Sequence, residues 1–108
     1  MVDPRIRKTR TKKDLSRVNI INTIKRHRTD IKRFGVKRIG LFGSFLRRTN
    51  TKRSDLDFLV TFNKPTFDNY MELKFMLEKL FHKKVDLIME DNLKPALRYV
   101  KEEAVYAR

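Results

Sequence analysis

At 108 residues the chain is long enough for one core and too short for a separate substrate-binding domain. Hydrophobic residues at 40% support a packed interior despite 37% charged residues, and the lack of cysteine excludes disulfides, thiolate metal sites and cysteine nucleophiles. No apolar run approaches a membrane span and none follows the basic N-terminus, so a cytoplasmic protein without membrane contact is expected.

The net charge of +14 is unevenly placed. Residues 1–54 hold 18 Lys and Arg against three acids, or +15, whereas residues 55–108 hold nine against ten, or −1. The front half therefore seeks polyanions, phosphates foremost, and the rear half keeps carboxylates.

Residues 1–13 are basic with almost no apolar periodicity and read as a flexible arm; residues 14–108 read as one domain. Asp14 can cap a first helix, along which Leu15, Val18, Ile21, Ile24, Ile31 and Phe34 recur at three- and four-residue steps until Gly35 stops it. Its other face, including Lys25, Arg28 and Lys32, is cationic. Val36–Phe42 alternates as a strand and runs into a tight Gly43-Ser44 turn. Phe45–Ser54 suits a short helix and a polar loop.

The segment from Asp55 to Phe62 is apolar and β-branched, and so a strand, broken at Asn63-Lys64-Pro65. Thr66 or Asp68 caps a second helix running to about Lys83, with Tyr70, Leu73, Leu77, Leu80 and Phe81 on its apolar stripe. The Phe and Met residues between 62 and 89 read as core. Val85–Met89 is a short buried strand with one acid inside it. A last helix starts near Pro95 and runs towards Glu103. This order predicts an α/β fold, a small mixed sheet of three or more strands flanked by helices.

Three acids sit where strands favour apolar residues: Asp55 and Asp57 around Leu56, and Asp86 between Val85 and Leu87. Side chains two apart on a strand share a face, with Cα atoms roughly 6.5–7 Å apart. Asp55 and Asp57 can lean onto one cation or a close pair, and Asp86 on a neighbouring strand can complete the cluster. Crowded carboxylates either protonate or bind metal, and Mg²⁺ matches an all-oxygen donor set. Gly43 lets a phosphate approach the chain, Ser44 can donate to it, and Arg47, Arg48 and Lys52 lie close by in sequence.

Gly43-Ser44, ten intervening residues and then Asp55-Leu56-Asp57 resembles the signature of the polymerase β-like nucleotidyltransferase superfamily. The Ser54–Val60 and Lys84–Ile88 segments resemble its minimal branch, over about residues 15–108. The resemblance implies the polymerase β-like fold. It further implies that Asp55, Asp57 and Asp86 are catalytic and bind two Mg²⁺ ions, and that Gly43 and Ser44, helped by Arg47, hold ATP. Minimal members of this kind commonly act as antitoxins that transfer AMP to a tyrosine of a HEPN-domain RNase toxin. A HEPN toxin is thus the implied partner and a protein hydroxyl the implied acceptor. At Leu46-Arg47-Arg48 the chain departs from the family's Ala-Arg-Gly run.

Two other readings remain open from the residues alone. One is a nucleic-acid-binding module, in which the arm and first helix grip phosphates; RNA contact is a role open to the arm. The other is an antitoxin of the same fold that acts by contact without catalysis. His27 and His82 read as solvent-facing, and Tyr70, Tyr99 and Tyr106 as packing or interface residues.

Overall fold

The computed structural model describes residues 15–107, so the basic arm and the Asp14 cap fall outside the described residues. In chain order the elements are helices α1 (Arg17–Arg26) and α2 (Arg28–Arg33), strand β1 (Val36–Phe42) and the one-turn helix α3 (Ser44–Arg47). Strand β2 (Leu56–Phe62), helix α4 (Phe67–Phe81), strand β3 (Val85–Met89), two 3₁₀ turns, helix α5 (Tyr99–Glu103) and strand β4 (Val105–Tyr106) follow.

The four strands form one mixed sheet in the order β3-β2-β1-β4. β1 and β2 are antiparallel, in the register Leu41↔Phe58 and Phe42↔Asp57. β3 lies parallel to β2, which requires a crossover, and α4 provides it. β2 is the central, most apolar strand: Leu56, Phe58, Leu59 and Val60 have no exposed surface. Only Asp57 and Thr61 interrupt its burial.

Most helix and strand expectations hold, with informative differences. The first helix is capped by Ser16, whose side chain accepts from the Asn19 amide, and it breaks at His27. There the His27 amide is shared between the Thr23 and Ile24 carbonyls and the ring Nδ1 lies 2.9 Å from Thr23 O. A side chain inserted into the helical ladder accounts for the kink. Ile20, Ile24 and Ile31 are buried, at four- and seven-residue steps, and Val18, read on the apolar face, is 60% exposed.

On α4 the Thr66 side chain caps the Asn69 amide, and Leu73, Leu77 and Phe81 face the core. Phe67 and Phe75, read as core, are exposed. They sit at four-residue steps through Met71 on a second stripe, because this helix carries apolar residues around most of its circumference. The expected final helix is a 3₁₀ turn at Pro95–Leu97 followed by the short α5.

β4 has no counterpart in the sequence reading. Its two residues pair with Gly40 and Leu41 of β1. Glu90, the one charged residue buried among those described, anchors it. Its carboxylate accepts from Arg38 at 2.7 Å, Thr61 at 2.9 Å and Tyr106 at 3.2 Å, with Lys101 Nζ at 3.3 Å. Arg38 also stacks 4.8 Å from the Tyr106 ring centroid. A Cβ on Gly40 would fall 2.9 Å from that ring, so glycine is what lets the tyrosine lie flat on the sheet.

Candidate active site

Register alone assembles the acidic end of the sheet. Phe42, Asp57 and Asp86 occupy one row across β1, β2 and β3, where Asp57 is the Cα partner of both its neighbours. Cα partners on adjacent strands project to the same side, so the Asp57 and Asp86 carboxylates share a face. Asp55 lies one residue before β2, exposed, on the same parity as Asp57.

The chain then leaves β1 through Gly43, whose φ of +81° suits glycine. Glycine is required for a second reason. A Cβ there would lie 2.9 Å from Asp57 Cγ and 3.0 Å from its Cβ. The missing methyl therefore lets the Asp57 carboxylate lie against the Gly43 backbone. Ser44 follows immediately at the start of α3, half-buried. The glycine–serine bend and the acid row are thus adjacent, as the spacing of residues 43–57 led one to expect.

Asp57 is half-buried, and its carboxyl is pushed up to about 6. Burial is the largest cause, the Asp86 and Asp55 charges add to it, and Arg47 opposes it. Tyr70 underlies β3, donating from its hydroxyl to Leu87 O at 2.6 Å. Burial, then the Asp86 charge, raises its phenol above the ordinary tyrosine value. Asp86 itself is exposed at the mouth of the site.

Arg47 stands at the edge of the site, with its guanidinium on Glu103 Oε1 at 3.0 Å. Arg48, Lys52 and Arg53 are exposed in the loop beyond. Among the described residues, no three Asp, Glu, His or Cys side chains already converge on one cation position. Two participants escaped the sequence reading. Glu103 carries no signal in the sequence, and Tyr70 showed only as part of an apolar stripe.

Comparison with known proteins decides the family. Residues 24–107 match the model of the nucleotidyltransferase domain. The chain belongs to that family. A protein adenylyltransferase MntA of Thermococcus cleftensis is 40% identical over 83 residues, which covers 74% of this chain and 84% of the relative. A solved minimal nucleotidyltransferase is 35% identical, with a TM-score of 0.65 over 79% of this chain and 93% of that one. The fold also matches a Shewanella oneidensis complex of a tri-AMPylated HEPN toxin with its MNT antitoxin, at 17% identity and a TM-score of 0.58 over 82% of this chain and 71% of that one.

The chain is thus a nucleotidyltransferase of the minimal branch, with the α/β fold of that family and a nucleotide as its substrate. The departure at Leu46-Arg47-Arg48 has a structural meaning. Leu46 is buried in the core, and Arg48 holds the left-handed conformation at φ 64° that ends α3. The family's glycine adopts that conformation without strain; this nucleotidyltransferase uses an arginine there.

Proposed function

We propose that this nucleotidyltransferase transfers AMP from ATP to a protein hydroxyl, the acceptor being a tyrosine of a HEPN-domain toxin. One observation carries the reading: Asp57 lies between Gly43 and Asp86, so bend and acids meet at one end of the sheet. The adenylyltransferase relative supports the AMP unit, and the antitoxin–toxin complex supports the partner.

The residues fit divalent metal. Asp55, Asp57 and Asp86 offer only carboxylate oxygens, the donor set of a hard cation, and register puts Asp57 beside Asp86 with Asp55 on the same parity. These three would hold two Mg²⁺ ions, which neutralise the triphosphate and acidify the attacking hydroxyl.

Gly43 lets the phosphates come close to the backbone, and the Ser44 hydroxyl and amide donate to them. Arg47 can swing from its half-exposed pairing with Glu103 to a phosphate oxygen. The acceptor oxygen bonds to the α-phosphorus as the bond from that phosphorus to the pyrophosphate oxygen breaks. Pyrophosphate leaves, and the hydroxyl proton passes to Asp86. Positioning and charge neutralisation supply most of the rate.

The test incubates the chain with a candidate HEPN protein, Mg²⁺ and ATP labelled at either the α- or the γ-phosphate. Label should reach a partner tyrosine from α-labelled ATP and never from γ-labelled ATP. Transfer from the γ-position would mean a kinase reaction. Nucleotide binding with no transfer would favour the antitoxin that acts by contact.

A further inference from the structure

A second charged feature lies away from the acid row. Between the helical segments α1 and α2 and the outer edge of the sheet runs a cleft of about 350 Å³. Lys25, Arg28, Lys32, Lys37 and Arg38 line it, together with Tyr106 and several aliphatic side chains, and among the described residues no carboxylate does. It takes in the first half of β1, whereas the acid row lies beside the last residue of that strand. Its residues on β1 lie three to six steps from Phe42, roughly 10–20 Å along the strand. The two sites are separate.

From this cleft we infer a binding site for single-stranded nucleic acid, held through its phosphates. Cations gathered around one concavity raise its positive potential and draw in a polyanion. Arg38 is matched from beneath by Glu90, but Lys25, Lys32 and Lys37 make no ion pair among the described residues. Lys25 lies in the last turn of α1 and Arg28 and Lys32 on α2, so the three line one wall on both sides of the His27 break. A run of cations along one wall suits the run of phosphates along a strand.

Lys37 and Arg38 form the facing wall, so a backbone lying in the cleft meets charge from both sides. Recognition rests on the phosphates, so it is indifferent to sequence and to the sugar. An acidic protein segment would answer the same charge, but a nucleic-acid strand carries a negative charge on every residue, which suits five cations gathered in so small a cleft. This site goes beyond AMP transfer and stands independently of it.

The test measures fluorescence anisotropy of the full chain with a labelled mixed-sequence 12-nucleotide strand, as RNA and as DNA, across a range of KCl. Lys25→Gln/Lys32→Gln/Lys37→Gln should lower the slope of log affinity against log salt by about 2, at roughly 0.7 per lost phosphate contact. Its affinity at 100 mM salt should fall roughly tenfold or more, equally for RNA and DNA. Lys79→Gln/Lys84→Gln/Lys94→Gln removes the same charge from exposed positions elsewhere and should weaken binding by no more than about threefold. Lys37→Glu alone, at an exposed strand position, should reproduce part of the loss while melting like the parent. Equal losses in the two triples, a parental slope in the cleft triple, or displacement of the strand by polyglutamate of matched charge would overturn the inference.

Discussion

Two carboxylates lie against the same sheet, Asp57 within β2 and Glu90 in the turn after β3, and they are held in opposite ways. Glu90 is almost fully buried, which alone would push its carboxyl up; hydrogen bonds from Arg38, Thr61 and Lys101 more than offset this and hold it at about 2. Asp57 is less buried, yet it is pushed up to about 6, because burial and the Asp86 and Asp55 charges act together and only Arg47 opposes them. One acid is saturated with donors from its own chain. The other is crowded with its own kind. The difference separates a carboxylate that fastens the fold from one kept for something that arrives.

The largest effect to expect from breaking this contrast is on transfer. Asp57→Asn should lower AMP transfer by roughly a thousandfold or more, while Glu90→Gln should leave the rate of the folded protein within about threefold. A radiolabel assay at matched folded concentrations separates them. Comparable losses in both would erase the distinction.

Stability should show the reverse pattern. Glu90→Gln replaces a charged acceptor by a weaker one under four donors and should destabilise by about 2–3 kcal/mol at pH 7. The sign with pH follows from the depressed carboxyl. Its stabilisation is complete above the ordinary carboxylate value of 4.5 and is lost as pH falls through about 2. Denaturant melts of parent and variant should therefore converge in that acid window, and a gap unchanged at pH 2 would count against the ion cluster.

With EDTA present, Asp57→Asn should instead stabilise the domain at pH 8, by about 1 kcal/mol, because it removes a charge that two neighbouring carboxylates disfavour. A destabilised variant under those conditions would show that Asp57 has a structural partner. Smallest of all, Arg48→Gly should raise stability by about 0.5 kcal/mol, by relieving the left-handed arginine that ends α3 against the entropy cost of glycine. The same melts check it.

The acid row was legible in the sequence because it rests on local rules. Period-two alternation put Asp55 and Asp57 on one parity, apolar flanks marked β3 around Asp86, and Gly43-Ser44 announced a bend. Three things were not legible. The helix break depends on the His27 ring reaching Thr23 O, which periodicity does not reveal. That Phe67 and Phe75 lie off the α4 stripe of Leu73, Leu77 and Phe81 that faces the core depends on packing, so they read as core although they are exposed. Glu90 sits in a polar Glu-Asp-Asn run that looks like open loop. Its burial depends on β4, whose two residues are too short to show alternation, and on partners up to 52 residues away.

Calorimetric titration of Mg²⁺–ATP is the most direct test of what the acids of β2 and β3 are kept for. The parent and Glu90→Gln should bind with the same affinity, and Asp55→Asn/Asp57→Asn should bind about tenfold or more weakly, an effect that vanishes when Mg²⁺ is omitted. Equal binding by the acid-row variant, with Mg²⁺ present, would contradict the assignment of these carboxylates to a metal-bound triphosphate.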